Sequence, residues 1–151
     1  MKKTTFMGTT EVPVEKTCAE VHSLLVQSGA RQIMTDYDAT CKPIGVAFFL
    51  VVNLLPVSFK LPVRVDPVFK TINGGRSYNR GAYAKLDREQ AERVAWRQLF
   101  RWLQAQLAMI QTHMVQAEEV FLPYMQEPSG KTLFEVITEQ RFKALPPGES
   151  A

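Results

Sequence analysis

Apolar positions recur with a period of two over residues 57–64. Val57, Phe59, Leu61 and Val63 alternate with Ser58, Lys60, Pro62 and Arg64. This pattern predicts a strand with one buried face and one basic face, on which Lys60 and Arg64 stand together. Pro62 has no N–H for a ladder, so the strand ends there or lies at an edge. Residues 44–52 are apolar almost throughout and predict a central strand or one covered on both faces. Residues 30–37 supply a third strand. Residues 38–43 and 53–56 read as connecting turns. A further short strand is expected over residues 11–14, held to an edge by Pro13.

A period near 3.6 takes over elsewhere. Thr17 and Glu20 form a capping-box pattern ahead of Val21, Leu24 and Leu25, and Gly29 supplies a left-handed stop. Asp66 followed by Pro67 predicts a short helix to Ile72. Asp87 and Gln90 predict the start of a long helix that runs to about His113. On its wheel Trp96, Phe100, Leu103, Leu107, Ile110 and Met114 fall on one line. Ala91, Ala95, Leu99, Trp102 and Met109 widen that line into a broad arc. The polar remainder is a narrow stripe of Arg93, Arg97, Arg101 and Gln104, expected to face solvent. Glu92 falls inside the apolar arc and must pair with a local Arg or reach water. A short helix or turn is expected over residues 118–125 and a last amphipathic helix over residues 132–142. The elements add up to an α+β fold: a small antiparallel three-stranded sheet packed against a long, largely buried helix, with a small C-terminal helical segment.

Composition narrows the class. The chain has 151 residues, 46% of them hydrophobic and 22% charged. That suits one soluble globular domain with a core of its own. Within it, residues 1–9 read as a loose arm and 10–72 as the sheet part. Residues 73–86 read as a flexible basic loop, 87–142 as the helical part and 143–151 as a disordered tail. No apolar run reaches the roughly 18 residues of a membrane span. Met1, Lys2 and Lys3 are not followed by the apolar stretch of a signal peptide, so a cytosolic protein is expected. Cys18 and Cys41 are far apart and read as a small hydrophobe and a turn residue rather than a disulfide.

Several local patterns invite chemistry, and each has a plainer reading. Ser129-Gly130-Lys131-Thr132 looks like the end of a P-loop, but Met125 stands where the motif requires glycine and no strand precedes it. A turn capping the last helix is expected instead. His22 and His113 lack clustered carboxylate or Cys neighbours, and no metal or cofactor is called for. Asp36 and Asp38 share a strand face and could hold Mg²⁺ for a metal-dependent enzyme, whereas turn chemistry accounts for them without one.

Charge changes the picture most. The net charge is +3, but residues 57–101 hold ten Lys/Arg against four Asp/Glu, a balance of +6, leaving −3 for the rest. In that segment stand Lys60 and Arg64 on the strand. Arg76, Tyr78, Arg80, Tyr83 and Lys85 lie on the glycine-rich loop. Arg93, Arg97 and Arg101 follow at i, i+4, i+8 on the helix. Arginine forks fit phosphate oxygens and tyrosines stack on unpaired bases. The set predicts a nucleic-acid site of low sequence specificity. The plainer reading is the solvated side of a buried helix, paired with acidic neighbours.

The run Gln90-Ala91-Glu92-Arg93-Val94-Ala95-Trp96-Arg97, leading into Trp102-Leu103-Gln104-Ala105-Gln106-Leu107, is followed by Glu118-Glu119-Val120-Phe121-Leu122-Pro123-Tyr124. Thr10-Glu11-Val12, Lys16-Thr17, Gly29-Ala30 and Tyr37-Asp38 accompany it. Across most of its length the chain resembles a group of small uncharacterised proteins encoded by bacteriophages, prophages and other mobile elements. The resemblance implies a setting, a host cytosol carrying a mobile genome, and no activity. Two functions are expected there. One is a non-enzymatic accessory protein that binds DNA or RNA through residues 60–101. The other is an inhibitor that docks on a host protein complex, for example an anti-defence factor. A second copy of the chain could cover the strand edge at Pro62 and the apolar helix surface.

Overall fold

Alternating and wholly apolar segments form the sheet, as their periods require. In the computed structural model, which describes residues 5–73 and 81–140 and only the backbone of 81–86, α1 spans Val14–Gln27. It is followed by β1 (Gln32–Tyr37), β2 (Pro43–Val52) and β3 (Leu55–Pro62). Then come α2 (Val65–Ile72), α3 (Gly81–Gln111), α4 (Ala117–Phe121), a 3₁₀ turn at Leu122–Tyr124 and α5 (Leu133–Glu139). The strands form one antiparallel sheet in the order β1-β2-β3. The fold is α+β. Among the described residues no helix is long and apolar enough to cross a membrane. The segment at residues 74–80 and the tail from 141 lie outside the described residues.

The inner face of the sheet presents Val46, Phe48, Leu50, Phe59 and Leu61, all buried. Against it lie Trp96, Phe100, Leu103 and Leu107 of α3 and Val21 and Leu25 of α1. Phe121 closes the core: its ring lies 5.4 Å from Phe48 and 5.6 Å from Phe59. Burying each such side chain stabilises the fold by about 1.5–3 kcal/mol. Trp96 is fully buried and its indole N–H donates to the Pro43 carbonyl at 3.1 Å, so its one polar atom is satisfied. The wheel line holds for Trp96 through Leu107. Met114 leaves it and is exposed, because α3 ends at Gln111 and His113 turns to φ +60°.

The helix starts differ from expectation. Residues 11–14 form no strand, and α1 begins at Val14 behind Pro13. Thr17 is buried inside the helix instead of capping it, and Glu20 is drawn to α3. The far end behaves as expected. The Ala30 N–H reaches Leu25 O at 2.9 Å and the Gly29 N–H reaches Val26 O at 3.1 Å, with Gly29 at φ +98°. That is a Schellman stop. Helix α2 starts at Val65, two residues early, so Asp66 is not its cap; its carboxylate pairs with Arg88. Helix α3 starts at Gly81, which places Asp87 and Gln90 inside it and dissolves their capping box. Thr132 does cap α5: its hydroxyl accepts from Glu135 N while Glu135 accepts from Thr132 N, so the P-loop-like segment is a turn and a cap.

The arm expected to be loose is tied down from residue 5. Gln98 donates to Phe6 O at 2.9 Å, and Gln90 donates to Gly8 O at 3.1 Å and Thr10 O at 3.0 Å. These bonds lay residues 6–10 across α3. The edge of β3 is also covered: Gln126 N–H donates to Ser58 O at 2.8 Å and Met125 bridges to Phe59. The second copy expected at that edge finds it occupied by the chain itself.

The β2–β3 turn carries a local conflict. Asn53 and Leu54 both take positive φ, +50° and +69°, as a two-residue turn between Val52 and Leu55 demands. Leu54 is 93% exposed and gains no packing there. Replacing it by glycine, Leu54→Gly, removes a left-handed cost of about 1–2 kcal/mol, partly offset by glycine's backbone entropy. The variant is expected to raise unfolding stability by up to about 1 kcal/mol in a denaturant titration.

Candidate nucleic-acid interface

The arginine stripe does not face solvent as a row. Arg97 is buried, with 9% of its surface exposed, and its guanidinium is hydrogen-bonded to the Glu20 carboxylate of α1. The same guanidinium lies 4.4 Å from the Phe100 ring centre. Among the described residues its Nε has no partner, and neither does the hydroxyl of buried Thr17. Arg93 is half-buried and donates twice to Gln90 Oε1, at 2.9 and 2.6 Å. Only Arg101 is exposed, bonded to Gln104 at 3.0 Å. Of the plainer reading, the acidic pairing holds for Arg97, but the residue is buried instead of solvated and serves α1–α3 packing. Glu92 pairs with no local Arg; partly exposed, it takes Lys42 from the β1–β2 turn at 2.9 and 3.2 Å.

Lys60 and Arg64 do not share a face. Lys60 stands on the outer face of the sheet, 3.8 Å from Asp36. Arg64 lies beyond the end of β3 as the residue before α2, because the strand stops at Pro62. It is exposed and makes no ion pair among the described residues. Lys70, in the last turn of α2, is in the same condition, although no local motif marks it. Its signal was helical position: it closes the helix that leads into the basic loop. Arg76, Tyr78 and Arg80 lie outside the described residues, and of Tyr83 and Lys85 only the helical backbone is described.

Arg64 stands on a cleft of about 250 Å³ between the end of β3, α2 and α3. Gln98, Trp102 and Tyr124 line it, and the two aromatic rings meet edge-on at 5.8 Å. Both are half-buried, so each keeps surface accessible. A guanidinium, a carboxamide and two aromatic rings around one cleft are suited to a phosphate and an unpaired base. The sequence placed Trp102 only in the apolar arc, since nothing local joins it to Tyr124 or Arg64.

The two aspartates do not converge. A register shift between Asp36 and Tyr37 breaks the alternation that would align them. Asp38 closes the β1–β2 turn, accepting from Thr40 Oγ1 at 2.6 Å, Thr40 N at 2.8 Å and Lys42 N at 3.0 Å. The Thr40 hydroxyl, then the Lys42 amide, hold its carboxyl below the usual range. Its contribution to stability is complete above about pH 4 and is lost as the pH falls through the depressed value. Among the described residues no three His, Cys, Asp or Glu side chains cluster as a metal would need. His22 Nε2 lies 2.9 Å from the Thr35 hydroxyl, a link between α1 and β1.

Cys18 is half-buried against the core; burial, then the Glu15 charge, pushes its thiol up to about 11. Cys41 is exposed in the β1–β2 turn at φ +63°.

No family model matches the chain, and no curated protein or solved structure matches it significantly.

Three outcomes follow from these placements. Glu20→Ala strands the buried Arg97 charge and is expected to cost about 3 kcal/mol in urea unfolding, the low end for a buried pair because Glu20 keeps 31% of its side chain in solvent. The double variant Glu20→Leu/Arg97→Leu is expected to recover most of that loss. A thiol reagent at neutral pH is expected to label Cys41 rapidly and Cys18 only on unfolding, read by mass spectrometry.

Proposed function

We propose that the protein is a non-enzymatic accessory protein that binds single-stranded nucleic acid with little sequence preference. The observation that carries the reading is the cleft with Arg64 on its wall, with no carboxylate among its described lining residues, beside Gln98, Trp102 and Tyr124. Lys70 extends the positive surface toward the segment that holds Arg76, Arg80 and Lys85. Arg101 adds a peripheral cation. Arg97 and Lys60, each facing a carboxylate, are left out of the contact set. The setting of a mobile genome, implied by resemblance, belongs to the same proposal.

Fluorescence anisotropy with a labelled oligonucleotide across a salt series tests it. Each phosphate contact adds about 0.7 to the slope of log K against log salt for a single strand. Arg64→Glu combined with Lys70→Glu is expected to weaken binding on the order of tenfold or more and to lower that slope by about 1.4. Trp102→Leu is expected to weaken binding while leaving the slope unchanged. Absence of a salt-sensitive signal at micromolar protein and low salt sinks the proposal.

A protein partner is the second reading, and the β2–β3 turn favours it. Leu54 and Leu55 are exposed, with Val51 close behind on β2. An apolar tip held in an unfavourable backbone conformation suits a contact made outside the chain. Affinity capture from nuclease-treated lysate distinguishes the two readings: here a partner is retained by the wild-type chain and lost with Leu54→Ser.

A further inference from the structure

The two edges of the sheet are treated differently. The chain covers the β3 edge with Met125 and Gln126 and places Pro56 and Pro62 along it. Nothing among the described residues covers β1. Val63 N–H donates to Ile44 O, directly opposite, at 2.8 Å. By the alternation of an antiparallel ladder, Val46 and Phe48 therefore bond toward β3, and Gly45, Ala47 and Phe49 bond toward Asp36, Met34 and Gln32. The main-chain groups of Ile33 and Thr35 are left pointing outward, and no partner for them exists among the described residues. The strand Gln-Ile-Met-Thr-Asp-Tyr has no proline or lysine to blunt this edge. Its one charge, Asp36, lies over the sheet beside Lys60 with an oxygen that is buried and accepts no hydrogen bond.

We infer that β1 pairs with β1 of a second copy of this chain, antiparallel across a two-fold axis at Met34, to make a six-stranded sheet. The register follows from three features. A two-fold pair must oppose residues on the same face, and centring on Met34 sets Ile33 against Thr35 of the other copy twice over, which uses all the outward groups in four main-chain hydrogen bonds. The same register sets the Gln32 carboxamide, a hydrogen-bond donor, opposite the Asp36 carboxylate of the other copy. It also sets Arg31, exposed and without an ion pair among the described residues, at one end of the strand against exposed Tyr37 and the neighbouring Asp38 at the other, so opposite charges approach at both ends. Met34, 60% exposed in the single chain, then meets its own copy beside Ala47 and the outer-face trough of about 490 Å³ that Phe49 also lines.

Light scattering on the full chain across a concentration series tests the inference. The expected mass rises from 17.1 kDa towards about 34 kDa, twice the chain mass. Met34→Lys faces two ammonium groups across the axis and is expected to hold the mass at that of one chain, with the circular dichroism of the fold retained because Met34 is exposed. In a Cys41→Ser background, Met34→Cys is expected to form a disulfide dimer under mild oxidation, since residues opposed at a non-hydrogen-bonded position have Cα atoms about 4.5 Å apart. Val51→Cys, exposed on the same face but far from the axis, is expected to stay uncrosslinked. A single-chain mass up to hundreds of micromolar overturns the inference. So does a dimer that persists in Met34→Lys, or equal crosslinking of the two cysteine variants.

Discussion

The architecture depends on covering α3. A helix of 31 residues whose apolar arc spans Trp96 to Leu107 cannot be buried by a sheet of three short strands alone. The sheet takes Trp96, Leu103 and Leu107, α1 takes the side marked by Arg97, and α2 takes the side marked by Arg88 and Asp66. The arm takes what remains, through Gln90 and Gln98. Every other element is placed by the share of α3 it covers. Phe121 and Tyr124, by contrast, are brought in to plug the end where the sheet and helix diverge, around Phe48, Phe59 and Trp102.

That crowding decides the electrostatics. A charge balance of +6 in one segment invites the view of a basic surface. Folding spends several of those cations on internal pairs: Arg97 with Glu20, Arg88 with Asp66, and Lys60 with Asp36. The cations left without a carboxylate among the described residues include Arg64 and Lys70, which flank the core helix instead of running along it. Arg93 and Arg101 of α3, bonded to Gln90 and Gln104, are in the same condition, so the free cations are divided between α3 and the two ends of α2 instead of forming one row.

What could be read in the sequence was whatever is decided locally. The alternation from Val57 to Val63 and the apolar run from Ile44 gave the strands, since a period of two has one structural solution. Gly29, Asp38 and Thr132 announced their roles because a left-handed stop, an Asx turn and a capping box need only neighbours within a few positions. The misses are the long-range ones. Thr17 looked like a cap because capping is a four-residue pattern, but its side chain is needed against α3. Arg97 looked solvated because Glu20, its partner, is 77 positions away. Trp102, Tyr124 and Arg64 share a cleft through tertiary packing, and no spacing rule joins them. The arm looked loose because its anchors are backbone carbonyls, which every residue has.

The span between Glu20 and Arg97 also sets an order of events during synthesis. The β2–β3 hairpin, with its two-residue turn, closes within microseconds of leaving the ribosome. Helix α1 emerges earlier, yet its partner surface is not made until 77 residues later, and Phe6 waits 92 residues for Gln98. At about 5–20 residues per second, the first helix spends roughly 4–15 s with Val21 and Leu25 uncovered. The stretch from Phe6 through α1 is thus the most exposed to chaperones and proteases during that time. The arm, bound as soon as Gln98 is made, is the latch that ends that interval.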